Sequence, residues 1–297
     1  MGGIRRLLSR VGRSVEAPLT ARMGSLDNAF SYAPIQFEVV SNVLMFGVGA
    51  HLAGLVYFLL SRERVSPRYR TATVLSAVVM LTSGMMLLRL AVNWQSAFAF
   101  DAASGLFEPA ETRFSNGFRY VNWLITLPLL IGQVLVVLDL RGRDLTRRAT
   151  LLVAAATAMT LSGYVGQFYE TTDTRALLAW GAVSTVFFAV LLVAMWREIA
   201  RALPAMPPEA ARVVRAIRWL LVASWMFYPG GYLVPVVSAS ADAIVARQTI
   251  FVLADVLSKV IYGVLLSRAA QIRSAAEGFE PAFVVRETLP GAERRGA

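Results

Sequence analysis

Seven long apolar stretches separated by short polar ones leave this chain of 297 residues few ways to fold. They lie near 34–60, 71–97, 117–139, 149–169, 175–196 and 246–271, with the sixth in chain order ending near 237. At about 1.5 Å of rise per residue, such a stretch crosses the hydrocarbon layer of a bilayer as a helix. Lipid offers no hydrogen-bond partners, so each stretch must satisfy its own amides, and a helix does this within one segment. The expected fold class is therefore all-α, an integral membrane bundle of seven transmembrane helices. Composition agrees: 57% hydrophobic residues and a mean hydropathy of +0.58 are too apolar for a soluble domain of this length.

The net charge of +10 invites a nucleic-acid reading, but the arginines gather at the ends of apolar stretches. Arg62, Arg64, Arg68 and Arg70 follow the first, Arg141, Arg143, Arg147 and Arg148 the third, and Arg197, Arg201, Arg212, Arg215 and Arg218 the fifth. By the positive-inside rule these mark one side of the membrane as cytoplasmic, with the N-terminus outside and the C-terminus inside. The expected location is the plasma (inner) membrane, multi-pass, and nucleic acid is not an expected partner. Residues 1–23 hold five arginines without a long apolar core. They read as a peripheral or disordered basic extension, or as sequence upstream of a start at Met23. The expected seven-helix domain spans 24–273, and 274–297 is expected to be a disordered tail. The longest outer connection, 98–116, alternates Phe with small residues before a Gly and predicts a short hairpin.

Absent residue types exclude much chemistry. Without cysteine there is no disulfide, thiolate nucleophile or thiolate metal site, and one histidine, His51, makes no zinc or haem constellation. No metal site and no enzyme activity are expected. His51 is expected to be a packed side chain bonded to a neighbouring helix. Arg89, deep in the second stretch, reads as snorkelling or pairing with another helix.

Of the 29 basic residues, one is lysine, and Lys259 lies within the last apolar stretch, ADVLSKVIYGVLL. A bare ammonium there costs several kcal/mol. Lysine also loses its proton readily when desolvated, and its amine can then condense with an aldehyde to a Schiff base. Asp255, four residues earlier, shares its helical face and can neutralise the nitrogen. A permanent structural ion pair is the alternative reading. The pattern D-x-x-S-K-x-x-Y-G, formed by Asp255, Ser258, Lys259, Tyr262 and Gly263, closely resembles the retinal-attachment helix of microbial rhodopsins. The resemblance implies all-trans retinal bound covalently to Lys259 in the bundle interior, with Asp255 as counterion.

The third stretch carries RYVNWLITLPLLIGQ, in which Arg119, Asn122, Thr126 and Gln133 form one polar stripe at helical spacing. Polar groups at that depth face a bundle interior or an ion path, or else serve helix packing. The segment resembles the third helix of microbial rhodopsins, where proton pumps usually carry carboxylates at the positions of Asn122 and Gln133. Neither residue here transfers protons near neutral pH. The Asn122, Thr126, Gln133 triad resembles that of bacterial chloride-pumping rhodopsins, close relatives of the sodium pumps. Charge counting points the same way: a protonated nitrogen on Lys259 and Arg119 against Asp255 leaves the site one negative charge short, which a halide supplies. Asn122 and Thr126 can both donate to an anion, whereas sodium would want acceptor oxygens and a carboxylate.

The resemblance covers about residues 30–270. It implies that Trp123, Trp225, Tyr228, Pro229 and Tyr232 pack around the polyene, with Gly163 and Ser184 at its ring end. Gly181 stands where some members of the family leave an opening for a carotenoid antenna. The implied function is a light-driven inward chloride pump, with chloride, the lipid bilayer and further copies of the chain as partners. A sodium or proton pump and a photosensory rhodopsin are the alternatives.

Overall fold

The computed structural model describes residues 25–281, and the basic extension 1–23 and the tail from 282 onward lie outside them. The helices are α1 (Pro34–Ser61), α2 (Pro67–Ala97), α3 (Gly117–Val137), α4 (Gly142–Gln167) and α5 (Thr174–Ala202), followed by α6 (Pro208–Trp225) and α7 (Phe227–Val237). Next come α8 (Ala241–Asp255) and α9 (Tyr262–Ala276), separated by a six-residue π turn, Val256–Ile261. α6 and α7 together form the sixth span, Pro208–Val237, and α8 to α9 the seventh, Ala241–Ala276. All seven spans are long and apolar enough to cross a membrane.

Sequence sets the ends of these helices. Pro34, Pro67 and Pro208 open α1, α2 and α6, where a missing N–H leaves no hydrogen bond unmade. Asp173 caps α5 by accepting from the amides of Arg175 (2.9 Å) and Ala176 (3.1 Å), and Ser240 caps α8 through Ala243 N (3.2 Å). The sixth span breaks at Met226 because Pro229 has no amide to offer the carbonyl of Trp225, one turn earlier. The predicted hairpin is present as β1 (Phe98–Asp101) paired antiparallel with β2 (Leu106–Pro109). It is tied to the segment before α1 by a bridge between Tyr32 and Phe107.

Consecutive spans pack side by side, and the seventh closes the ring against the first and sixth. Outward faces are apolar, as at Ile35, Leu60 and Val186, while buried polar groups gather inside. Two buried apolar clusters close the ends. One is built around Tyr32, Trp94, Phe98 and Phe114, the other around Tyr69, Val134, Ile199 and Leu266. The arginine-rich end is also held by ion pairs. Between α3 and α4 the chain turns at Asp139 in the left-handed region (φ 64°), which aspartate tolerates. Its carboxylate pairs with Arg68 and Arg141. Partial burial works to raise the Asp139 carboxyl, but the hydrogen bonds from the two guanidiniums hold it below the usual carboxylate value.

Several boundaries differ from expectation. Arg197 and Arg201 are helical residues of α5, and Arg212, Arg215 and Arg218 of α6, rather than loop residues, because α5 runs on to Ala202 and Pro208 already opens α6. The last span continues past 273. Ser274 is buried, and Glu277 accepts from Tyr69 Oη at 2.6 Å and pairs with Arg68, so the chain is anchored to 277 instead of becoming a tail at 274. His51 Nδ1 bonds the carbonyl of Gly47 on its own helix (2.7 Å), not a neighbouring one. Arg89 is exposed and lies over the Phe118 ring, 5.0 Å from its centroid.

Candidate functional site

Lys259 lies in the π turn, where the widened helix leaves amides out of the regular ladder, a feature that concentrates at functional sites. Its side chain is 1% exposed and bonds Asp255 Oδ1. The same oxygen accepts from Tyr228 Oη at 2.7 Å, and Tyr228 also bonds Ser258 Oγ at 3.0 Å. The other carboxylate oxygen, Oδ2, faces Arg119 Nη1 at 3.8 Å. Three buried charges thus meet where the third, sixth and seventh spans converge.

Along α3 the expected stripe is buried throughout, with Arg119, Asn122, Thr126 and Gln133 each at most 2% exposed. Asn122 Oδ1 accepts from Ser83 Oγ of α2 (3.0 Å), which leaves the donor end of the amide for other partners. Thr126 donates its hydroxyl to the Asn122 carbonyl one turn back (2.8 Å), so that proton is already engaged, contrary to the expectation of a free donor. Gln133 is fully buried, and neither amide atom has a partner among the described residues. Arg119 Nη1 is likewise buried without a hydrogen-bond acceptor.

A second cluster, which local sequence spacing does not reveal, lies beyond Arg119. Arg119 Nη2 donates to Gln248 Oε1 at 2.5 Å, and Gln248 Nε2 donates to Asp27 Oδ1 at 2.9 Å and to Asn116 Oδ1 at 3.0 Å. Asp27, fully buried, also takes Arg247 Nη2 at 2.5 Å and Asn116 Nδ2 at 2.8 Å, while Arg247 Nη1 pairs with Glu170. The visible signal was Arg247-Gln248 at the head of an apolar run. Their partner Asp27 lies 220 residues away from Arg247, a pairing that no local spacing reveals. The cluster changes the charge tally. Its two carboxylates and one guanidinium offset the surplus at Lys259, Arg119 and Asp255, so the six groups together are neutral and the tally no longer requires an added anion.

On the other side of Lys259 opens a cavity of about 310 Å³. Trp123, Trp225, Tyr228, Pro229, Tyr232, Gly163 and Ser184 all line it, together with Thr126, Gly181 and Lys259 itself. A Cβ on Gly163 would stand 3.3 Å from Ser184 Oγ and 3.5 Å from Tyr120, so glycine keeps that end of the cavity open. Gly181 does border the cavity, but a Cβ there would meet the Tyr232 ring at 2.7 Å. The glycine seats that tyrosine.

The sequence profile of the bacteriorhodopsin-like protein family matches residues 38–272. The chain belongs to that family, the microbial rhodopsins. It is 23% identical over 269 residues to the green-light absorbing proteorhodopsin of Gamma-proteobacterium EBAC31A08, covering 89% of this chain and 97% of the relative. Among solved structures it is similar to a thermophilic rhodopsin (32% identity, TM-score 0.79) and to xanthorhodopsin, described as a light-driven ion pump with dual chromophore (33%, TM-score 0.77). Each likeness covers 84% of this chain and 99% of the other. Membership implies retinal, and the residues fit it: an apolar cavity walled by aromatics is lined by the chain's one lysine.

Proposed function

We propose that this rhodopsin is a light-driven inward chloride pump that holds retinal on Lys259. Bound there, retinal supplies light absorption and an isomerisation that redirects the N–H on the lysine nitrogen. Asp255, Tyr228 and Arg119 fix the resting direction of that N–H, and the aromatic walls exclude water from the cavity. The observation that carries the choice of ion lies on α3: the buried face beside Lys259 offers Asn122, Thr126 and Gln133, with no carboxylate to take or return a proton. Arg119 Nη1, buried without an acceptor, and the donor end of Asn122 support a halide between them. Gln133, with both amide atoms unpaired, stands further along α3 on the other side of Lys259 and suits a polar station on the exit path. The arginine-rich loops support an N-terminus outside and a C-terminus in the cytoplasm, so Arg119 and Asn122 wait on the outer side and Gln133 on the inner. Assembly of the bundle into a homo-oligomer belongs to the same reading.

An outward proton or sodium pump is the second reading. It is favoured by Asp255, whose carboxylate bonds Lys259 directly and is able to take a proton. Two results separate them. A halide beside the lysine nitrogen holds its positive charge in place, so replacing chloride with sulfate should move visible absorption to longer wavelength; a spectrum unchanged across a wide chloride titration would exclude an anion at the site. Thr126→Asp places a fixed negative charge one turn from Asn122, where it competes with the halide, and should cut chloride-dependent transport about tenfold or more. Undiminished uptake in liposomes carrying that variant would contradict the assignment.

A further inference from the structure

The fifth and sixth spans carry a cationic aromatic patch at their arginine-rich end. Arg218 of α6 lays its guanidinium over the Trp196 ring of α5, 3.9 Å from the centroid. Trp219 meets the same ring edge-on at 4.9 Å and is 59% exposed. Stacking covers the face of a guanidinium and leaves its N–H edge free to bond. Among the described residues no carboxylate pairs with Arg218, and its Nε is buried without an acceptor. Arg215, one turn earlier on α6, is exposed and also unpaired among the described residues. The nearby acids are engaged elsewhere: Glu198 by Arg148 and Arg201, and Glu209 by Arg212 at 4.0 Å.

Toward the middle of the bundle the exposed surface turns apolar. Val193, Val190 and Val186 descend α5 at helical spacing, each more than 40% exposed, with Met226 on the sixth span 52% exposed. Tryptophans with arginines above an apolar stripe mark the depth of the lipid headgroups. We infer that this patch binds the headgroup phosphate of an anionic phospholipid. The phosphate oxygens accept from the guanidinium edge of Arg218 and from Arg215, and an acyl chain lies along the valines. A guanidinium's planar fork suits phosphate, and the uncompensated charge favours an anionic lipid over a zwitterionic one. A soluble anion would meet the arginines but gain nothing from the valine stripe.

The full-length protein, purified in nanodiscs of phosphatidylcholine containing a minor fraction of phosphatidylglycerol, tests this by native mass spectrometry. The wild type should retain phosphatidylglycerol in preference to phosphatidylcholine. Arg218→Gln and Arg215→Gln should each weaken that retention about tenfold, and Arg212→Gln, whose charge Glu209 engages, should leave it unchanged. Should Arg218→Gln fold poorly, the exposed Arg215→Gln carries the test alone. Equal retention of the two lipids, or equal retention by wild type and both variants, overturns the proposal. Displacement of the lipid by inorganic phosphate also overturns it, since that marks a free-anion site.

Discussion

Lys259→Ala gives a folded protein without visible colour. No other lysine exists to replace the amine, so the proposed covalent attachment of retinal is lost completely. The fold survives because what holds it is elsewhere: the apolar clusters at both ends and the spans' outward faces do not involve this side chain. Nor is Asp255 stranded, since Tyr228 still donates at 2.7 Å and Arg119 stands 3.8 Å away. Helix content by circular dichroism should match the wild type while absorbance after addition of all-trans retinal stays flat. A coloured, photoactive Lys259→Ala protein formed without an added amine would overturn the attachment.

The second large effect falls on the outer cluster. Arg247 is buried and is the cation between Asp27 and Glu170. Arg247→Gln leaves two carboxylates in a dry site with no guanidinium between them, and breaking a buried pair in this way costs about 3–5 kcal/mol. The cluster joins the segment before α1 to α3, α8 and the connection after α4, so the loss should loosen the outer end of the bundle. Thermal melting of the dark protein should fall by more than about 6 °C, with Arg247→Lys recovering part of it. A melting temperature equal to the wild type would show that the triad contributes nothing net.

Sequence made the spans legible because a bilayer imposes length and polarity on each segment separately. The seven stretches, the hairpin and the placement of Lys259 with Asp255 needed no long-range information. The cavity lining was legible only through resemblance: Trp123, Tyr228 and Gly163 are unremarkable core residues until a lysine lies at the end of the space they enclose. What stayed hidden depended on pairing. Nothing near Asp27 announces Arg247, and a halide-requiring charge count stood until those partners were known. Local backbone was hidden too. The π turn at Val256–Ile261 carries no breaker residue, and the hydroxyl of Thr126 is spent on its own helix, a choice that residue type cannot reveal.

The direction of ion movement is tested most directly by the pH of an unbuffered suspension of illuminated cells. If chloride moves inward, the interior becomes negative and protons follow passively, so the medium should turn alkaline, and a protonophore should enlarge the change. In sulfate without chloride the signal should vanish. Acidification of the medium that a protonophore abolishes, or a signal that persists unchanged in sulfate, would contradict the chloride assignment and put a proton or sodium pump in its place.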